Sequence, residues 1–181
     1  MTRKLKLLIV TMAALSTIVV AARVAFSSTS PAPLKTWFST VSLVTAKVAS
    51  YDFGTDPVTG NYVGDAPAIV QIHTFNLHRG AAIPWHYHMG VSYVAIQGGT
   101  VTEQHLESNG TCSSPKQYSA GGGFIERKGY IHTVVNVGGE DALIRWATTY
   151  PDIPPYAAPL KTGSQFTVGG LYLVPNQNPC Q

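Results

Sequence analysis

Within the stretch PWHYHMG (residues 84 to 90), His86 and His88 are separated by the single residue Tyr87. Neutral imidazole is the commonest protein ligand for transition metals. In a β-strand alternate side chains share a face, so the two rings would stand side by side while Tyr87 turns away. On a helix the same spacing would splay them. Metal chemistry therefore requires a strand at this point and at least one further donor from elsewhere in the chain. Without that donor the pair is two polar residues on a strand.

Other chemistries lack their usual signatures. There is no GxSxG and no HExxH, so acyl transfer and metalloprotease chemistry have no recognisable nucleophile or zinc helix. Gly121-Gly122-Gly123 is followed by no Lys-Ser/Thr pair and opens no helix, which removes a phosphate loop. His73, His78 and His105 stand outside any ligand spacing and receive no ligand role. His105 alternates with Glu103 and Glu107, a pattern that fits an exposed strand face.

The elements that must position His86 and His88 follow from composition and periodicity. Hydrophobic residues make up 45% of the 181 and charged residues 12%, about half the usual charged share, which excludes charge-driven disorder. Short apolar or alternating runs occur at residues 38–51, 68–77, 92–97, 100–106, 123–126, 131–137, 142–150 and 166–174. Each is bounded by Gly, Pro, Asn or Asp, as strands are. The first run is also compatible with a helix, because Phe38, Val41, Val44 and Val48 fall at helical spacing. The turns Val137 to Asp141 and Glu107 to Thr111 favour successive antiparallel strands over βαβ units. The expected architecture is all-β, a compact barrel or jelly roll forming one domain over residues 37–181.

Residues 1–22 read as a targeting segment. Arg3, Lys4 and Lys6 precede an apolar run of 16 residues from Leu7 to Ala22, shorter than the roughly 20 of a comfortable membrane span. The expectation is a signal peptide cut near Ala22, or an N-terminal anchor helix if it is retained, followed by a linker over 23–36. The mature protein is then secreted or periplasmic, and meets a membrane only if the segment stays. Its removal takes three of the 12 Lys+Arg and none of the nine Asp+Glu. The charge then balances, and nothing supports a nucleic-acid partner. Cys112 and Cys180 are the two cysteines; in an oxidising compartment they are expected to pair as a disulfide, with free thiols the alternative. Asn109-Gly110-Thr111 matches a glycosylation sequon, a pattern common by chance.

Two longer patterns carry a resemblance. Gly80, His86, His88 and Gly99 follow the order glycine, five residues, HxH and a later glycine; Gly121, Gly129, His132 and Asn136 follow a second order of glycine, glycine, histidine and asparagine. Together they resemble the two motifs of the cupin superfamily over residues 66–150. The nearer likeness is to small exported single-domain cupins, which share Thr100-Val101-Thr102, Phe124-Ile125-Glu126 and a C-terminal cysteine. Two departures stand out: Ser92 occupies the usual place of a metal-binding glutamate, and Arg127 that of a proline.

This resemblance implies a double-stranded β-helix in which His86, His88 and His132 converge on one divalent metal: Fe, Mn, Ni, Cu or Zn, which affinity order alone does not separate. Three imidazoles leave open positions, so the implied activity is that of a metal-dependent, dioxygenase-like oxidoreductase on a small organic molecule. A non-catalytic module that binds a small ligand or a metal is the alternative, and a homodimer is open to either. With Ser92 in place of the glutamate, the metal would keep close to its +2 charge and favour anionic ligands. Glu126 is a candidate fourth ligand or ligand partner, although beside Arg127 and Lys128 a surface ion pair is the commoner role. Tyr93 and Gln104 are pocket candidates, Ser92 a packed strand residue, and Trp85 and Trp146 core.

Overall fold

The structure is a computed structural model and describes residues 38–157, 160–161, 167–168, 170–174 and 179–180. The expected signal or anchor segment (1–22) and linker (23–36) lie outside the described residues. Among the described residues twelve strands are found: β1 Phe38–Asp52, β2 Asp65–Leu77, β3 Ala82–Tyr87, β4 Ser92–Ile96, β5 Thr100–His105, β6 Lys116–Ser119, β7 Gly123–Glu126, β8 His132–Asn136, β9 Ala142–Pro151, β10 Leu160–Lys161, β11 Thr167–Val168 and β12 Tyr172–Leu173. No helix occurs among the described residues, and none there is long and apolar enough to cross a membrane.

The strands form two five-stranded antiparallel sheets, ordered β1-β2-β9-β4-β7 and β12-β3-β8-β5-β6, with β10-β11 as a separate pair. From β2 to β5, and again from β7 to β9, each successive strand lies in the opposite sheet. Such alternation winds the chain into a double-layered jelly roll. Its sequence basis is a two-residue period: in β9, Ala142, Ile144, Trp146, Thr148 and Tyr150 point inward and are buried while Arg145 is exposed. β4 does the same with Ser92, Val94 and Ile96. Phe75, Leu77, Val101, Val134 and Leu171 complete the main core.

Residues 38–52 are strand rather than helix. The run is rich in β-branched residues, which suit a pleated surface, and it pairs with β2 over nearly its whole length. Val41, Val44 and Val48, whose helical spacing marked an apolar stripe, are instead exposed on an edge strand. Three strands escape the sequence reading, β3, β6 and β10. Four-residue β6 has little apolar signal of its own and is recruited by pairing with β5.

At the C-terminus β12 pairs with β3, Tyr172 opposite Tyr87 and Leu173 opposite His86. Cys112 and Cys180 form a disulfide, with their Cα atoms 5.6 Å apart. The tail is thereby tied to the loop after β5.

Candidate metal centre

Strands β3 and β8 pair with a register slip between Ile83 and His86, and beyond the slip His86 stands directly opposite His132. His88 lies just past the end of β3, on the same side as His86. The Gly129 amide donates to the His88 carbonyl at 2.8 Å and so ties the first histidine segment to the approach of β8. Position 129 must be glycine: its φ is +70°, and a Cβ there would meet Pro57 Cγ at 2.0 Å. A side chain would force this turn away from Pro57 in the loop between β1 and β2.

Each imidazole is oriented by a backbone carbonyl. His86 Nδ1 donates to Pro84 O and His132 Nδ1 to Tyr130 O, both at 2.7 Å; His88 Nδ1 donates to Gly170 O. Carbonyls only accept, so the proton is fixed on Nδ1 and each Nε2 is left with a lone pair. This is the arrangement in which metal-binding histidines are commonly held.

The fourth member is Glu126, 4% exposed. Its Oε2 lies 3.0 Å from His88 Nε2 and its Oε1 3.0 Å from His132 Nε2. Both nitrogens are buried and lack a hydrogen-bond donor of their own. Two acceptors facing each other at this distance repel unless a cation lies between them. That cation is a proton or a metal. The ligand atoms of His86, His88, His132 and Glu126 all fall within 4.8 Å of one another. On bonds of about 2.1 Å, ligand atoms at right angles are about 3.0 Å apart, so the residues present fit a first-row divalent metal.

The electrostatics agree. Burial, then repulsion from His132 and His88, holds His86 well below its ordinary value. Burial alone would raise the Glu126 carboxyl, yet His132 and His88 outweigh it and keep the group ionised. Burial would likewise lower His132, but the Glu126 charge and hydrogen bond raise it. Without metal, the proton between acceptors therefore sits on the His132–Glu126 pair.

The surface ion pair expected for Glu126 is not what forms. Strand alternation turns Glu126 inward, and Lys128 instead donates to the Phe53 carbonyl. Ser92 and Glu126 are direct cross-strand partners; Ser92 is buried and donates to Thr148 Oγ1 at 2.8 Å. The carboxylate missing at position 92 is thus present one strand away, in the group of residues that could hold a metal. Trp146, read from sequence as core, also donates from Nε1 to Glu126 Oε2 at 3.2 Å. No sequence spacing marks that contact, because β9 and β7 are separated by β4.

Two pocket candidates lie elsewhere. Tyr93 is 58% exposed, on the outer face opposite Ile125, as the inward course of Ser92 and Val94 requires. Gln104 donates to the Ser113 carbonyl at 2.9 Å and does not line the cavity beside the centre. His105 shares the cross-strand row of His132, but its ring bonds Glu103 and Glu107 at 3.0 and 3.1 Å. Glu103 is buried, so this face is less open than its charge pattern implied. His78 bonds Asp141 at 2.9 Å on the surface.

Beside the centre a cavity of about 30 Å³, room for one or two waters, reaches His86 and Glu126. Its remaining lining is Phe75, Ile83, Val94, Phe124, Val134, Ile144, Trp146, Leu171 and, unforeseen from sequence, His73.

No family model and no curated protein matches the chain. Among solved structures it is similar to an oxalate oxidase, at 21% identity over 43% of this chain and 40% of that one, TM-score 0.39. It is similar to a single-substitution variant of the Bacillus subtilis oxalate decarboxylase, at 15% identity over 55% and 24% of the two chains, TM-score 0.42. It is also similar to an RmlC-like cupin family protein with a double-stranded beta-helix fold from Methanocaldococcus jannaschii, at 21% identity over 44% and 68%, TM-score 0.38. The match spans less than half of the oxidase and about a quarter of the decarboxylase.

Proposed function

We propose that the chain holds one divalent transition metal through Nε2 of His86, His88 and His132 and the carboxylate of Glu126, and that it is an exported oxidoreductase acting on a small organic molecule. The observation that carries the metal is the pair of buried acceptor contacts at 3.0 Å between Glu126 and the two imidazoles. A bound metal of this class supplies Lewis-acid or one-electron chemistry at its open positions.

The chain's own residues do the rest. The carbonyls of Pro84, Tyr130 and Gly170 hold the three rings in the ligating tautomer, Trp146 fixes the carboxylate, and the apolar walls keep bulk water from the substrate side. One carboxylate lowers the net charge of a divalent centre to about +1, which weakens the preference for anions that three imidazoles alone would give. Export is supported by the targeting pattern of residues 1–22 and by the disulfide, which suits an oxidising compartment.

Elemental analysis of protein purified from its native compartment, combined with oxygen-uptake measurements on small organic substrates, tests this reading. About one redox-active metal per chain and substrate-dependent turnover are expected. Wild type with no more metal than His132→Ala would overturn it, and stoichiometric metal without turnover would leave a binding module.

A further inference from the structure

We propose that the small cavity beside the metal centre is a dry site for dioxygen, separate from the coordination positions of the metal, in which the gas is held next to the centre. The inference deepens the proposed function by naming its oxidant. It rests on that reading for the choice of dioxygen among apolar gases, and on the cavity alone for the kind of molecule bound.

The cavity is large enough for a water, at about 30 Å³, but a buried water stays only where about two to four polar groups hold it. Here the wall is almost wholly carbon. Ile83 and Val134 bring methyl groups from one sheet, Val94 and Ile144 from the other, and Leu171 from the C-terminal segment. The polar residues that border the cavity direct their hydrogen bonds elsewhere. Glu126 turns its oxygens to His88, His132 and Trp146, which also commits the single N–H of Trp146. His86 Nδ1 donates to Pro84 O, and His73 Nε2 to Gln71 Oε1. No lysine or arginine lines the cavity among the described residues.

Size and chemistry together select the occupant. A space of one or two waters excludes an organic substrate. A water enclosed there gives up hydrogen bonds it made in bulk, and an ion loses far more. Apolar cavities instead stay dry and take up small apolar molecules, and at this size such a molecule is a diatomic gas. Among these gases dioxygen is the one that a redox-active metal centre consumes. The cavity touches His86 and Glu126, so a gas molecule held in it stands beside two of the four proposed ligands while water is kept out by the same walls.

The test uses dioxygen itself as the probe, on the full protein with labelled methyl groups, both loaded with diamagnetic zinc and after chelation. Dioxygen is paramagnetic and speeds the relaxation of nuclei close to it. Under oxygen the methyl groups of Ile83, Val94, Val134, Ile144 and Leu171 should relax several-fold faster than that of Met89, which is as deeply buried in a core cluster that does not line the cavity. Nuclear Overhauser contacts from water to the same five residues should be absent; neither measurement needs a variant. Val94→Ile and Val134→Ile each place one more carbon in the void. Each should keep the urea midpoint, because an empty space and not a packed neighbour receives the carbon. Each should also abolish the oxygen-induced relaxation at the remaining methyl groups and raise KM for dioxygen several-fold in the oxygen-uptake assay, with metal content unchanged. Relaxation no faster than at Met89, a water contact to the lining methyl groups, or filled variants with wild-type relaxation and KM for dioxygen would each overturn the inference. Oxygen in the cavity of a protein that binds no metal would overturn the metal reading alone. Stoichiometric metal and turnover with no oxygen in the cavity would overturn this one alone.

Discussion

At the scale of single residues, the centre is defined by where protons cannot sit. Three Nδ1–H groups are committed to carbonyls, so the space between Glu126 and the imidazoles accepts only a proton or a metal ion. Glu126→Gln keeps the shape, removes the charge and presents an amide to two lone pairs. We expect metal content to fall at least tenfold, and to be abolished in His86→Ala, His88→Ala or His132→Ala, as read by elemental analysis after dialysis against a weak chelator.

Acidification gives a second check. His73 has a lowered folded pKa of about 4, against about 6.5 unfolded. Between those values the unfolded chain binds a proton that the folded chain does not, so stability rises with pH across the window and is lost as pH falls from about 6.5 to about 4. The loss attributable to this residue is at most about 3 kcal/mol. His73→Phe should flatten that part of the urea-midpoint profile relative to wild type.

Much of this site was legible in the residues. The spacing of His86 and His88 and the second pattern ending in His132 pointed to three converging imidazoles, and the structure brings those rings together. Glu126 was obscured because two cations follow it, and only strand alternation reveals that it turns away from them. His73 was set aside because it stands outside any ligand spacing; it reaches the cavity wall through pairing with Trp146, 73 positions later in sequence and adjacent in the sheet.

At the scale of elements, β-branched alternation was enough to find most strands, and the failures have physical causes. The valines of β1 satisfy two periodicities at once, and tertiary pairing with β2 selects the strand. β6 brings only Tyr118 to the core and is held mainly by pairing with β5. Turns carry more information than strands at one point: Gly129 anchors His88 to β8, and no side chain fits there. Gly129→Ala should destabilise the protein by about 1–3 kcal/mol through backbone strain, with the clash against Pro57 in addition. Chemical denaturation reads the first effect. A metal affinity that falls further than stability alone explains would show the loss of the anchoring role.

At the scale of the whole molecule, the disulfide closes a loop with a sequence separation of 68. By chain entropy that is about 4 kcal/mol of stability, and reduction should lower the urea midpoint accordingly, with m somewhat larger because the unlinked unfolded chain exposes more surface.

The same covalent tie bears on the proposed metal centre. The segment it secures carries Gly170, whose carbonyl fixes the His88 ring, and β12, which lies against His86. Gly170 itself sits where a Cβ would come within 2.7 Å of Tyr150, so the tail is threaded closely against β9 and can hold this path only while it stays docked. Reduction of the disulfide would untie the tail that carries the Gly170 carbonyl, and the hold on the His88 ring is expected to loosen. Metal retention measured with and without reductant, in wild type and in Cys112→Ser/Cys180→Ser, should show a matching loss in the reduced and serine forms; equal retention in all of them would place the ordering of His88 in the barrel alone.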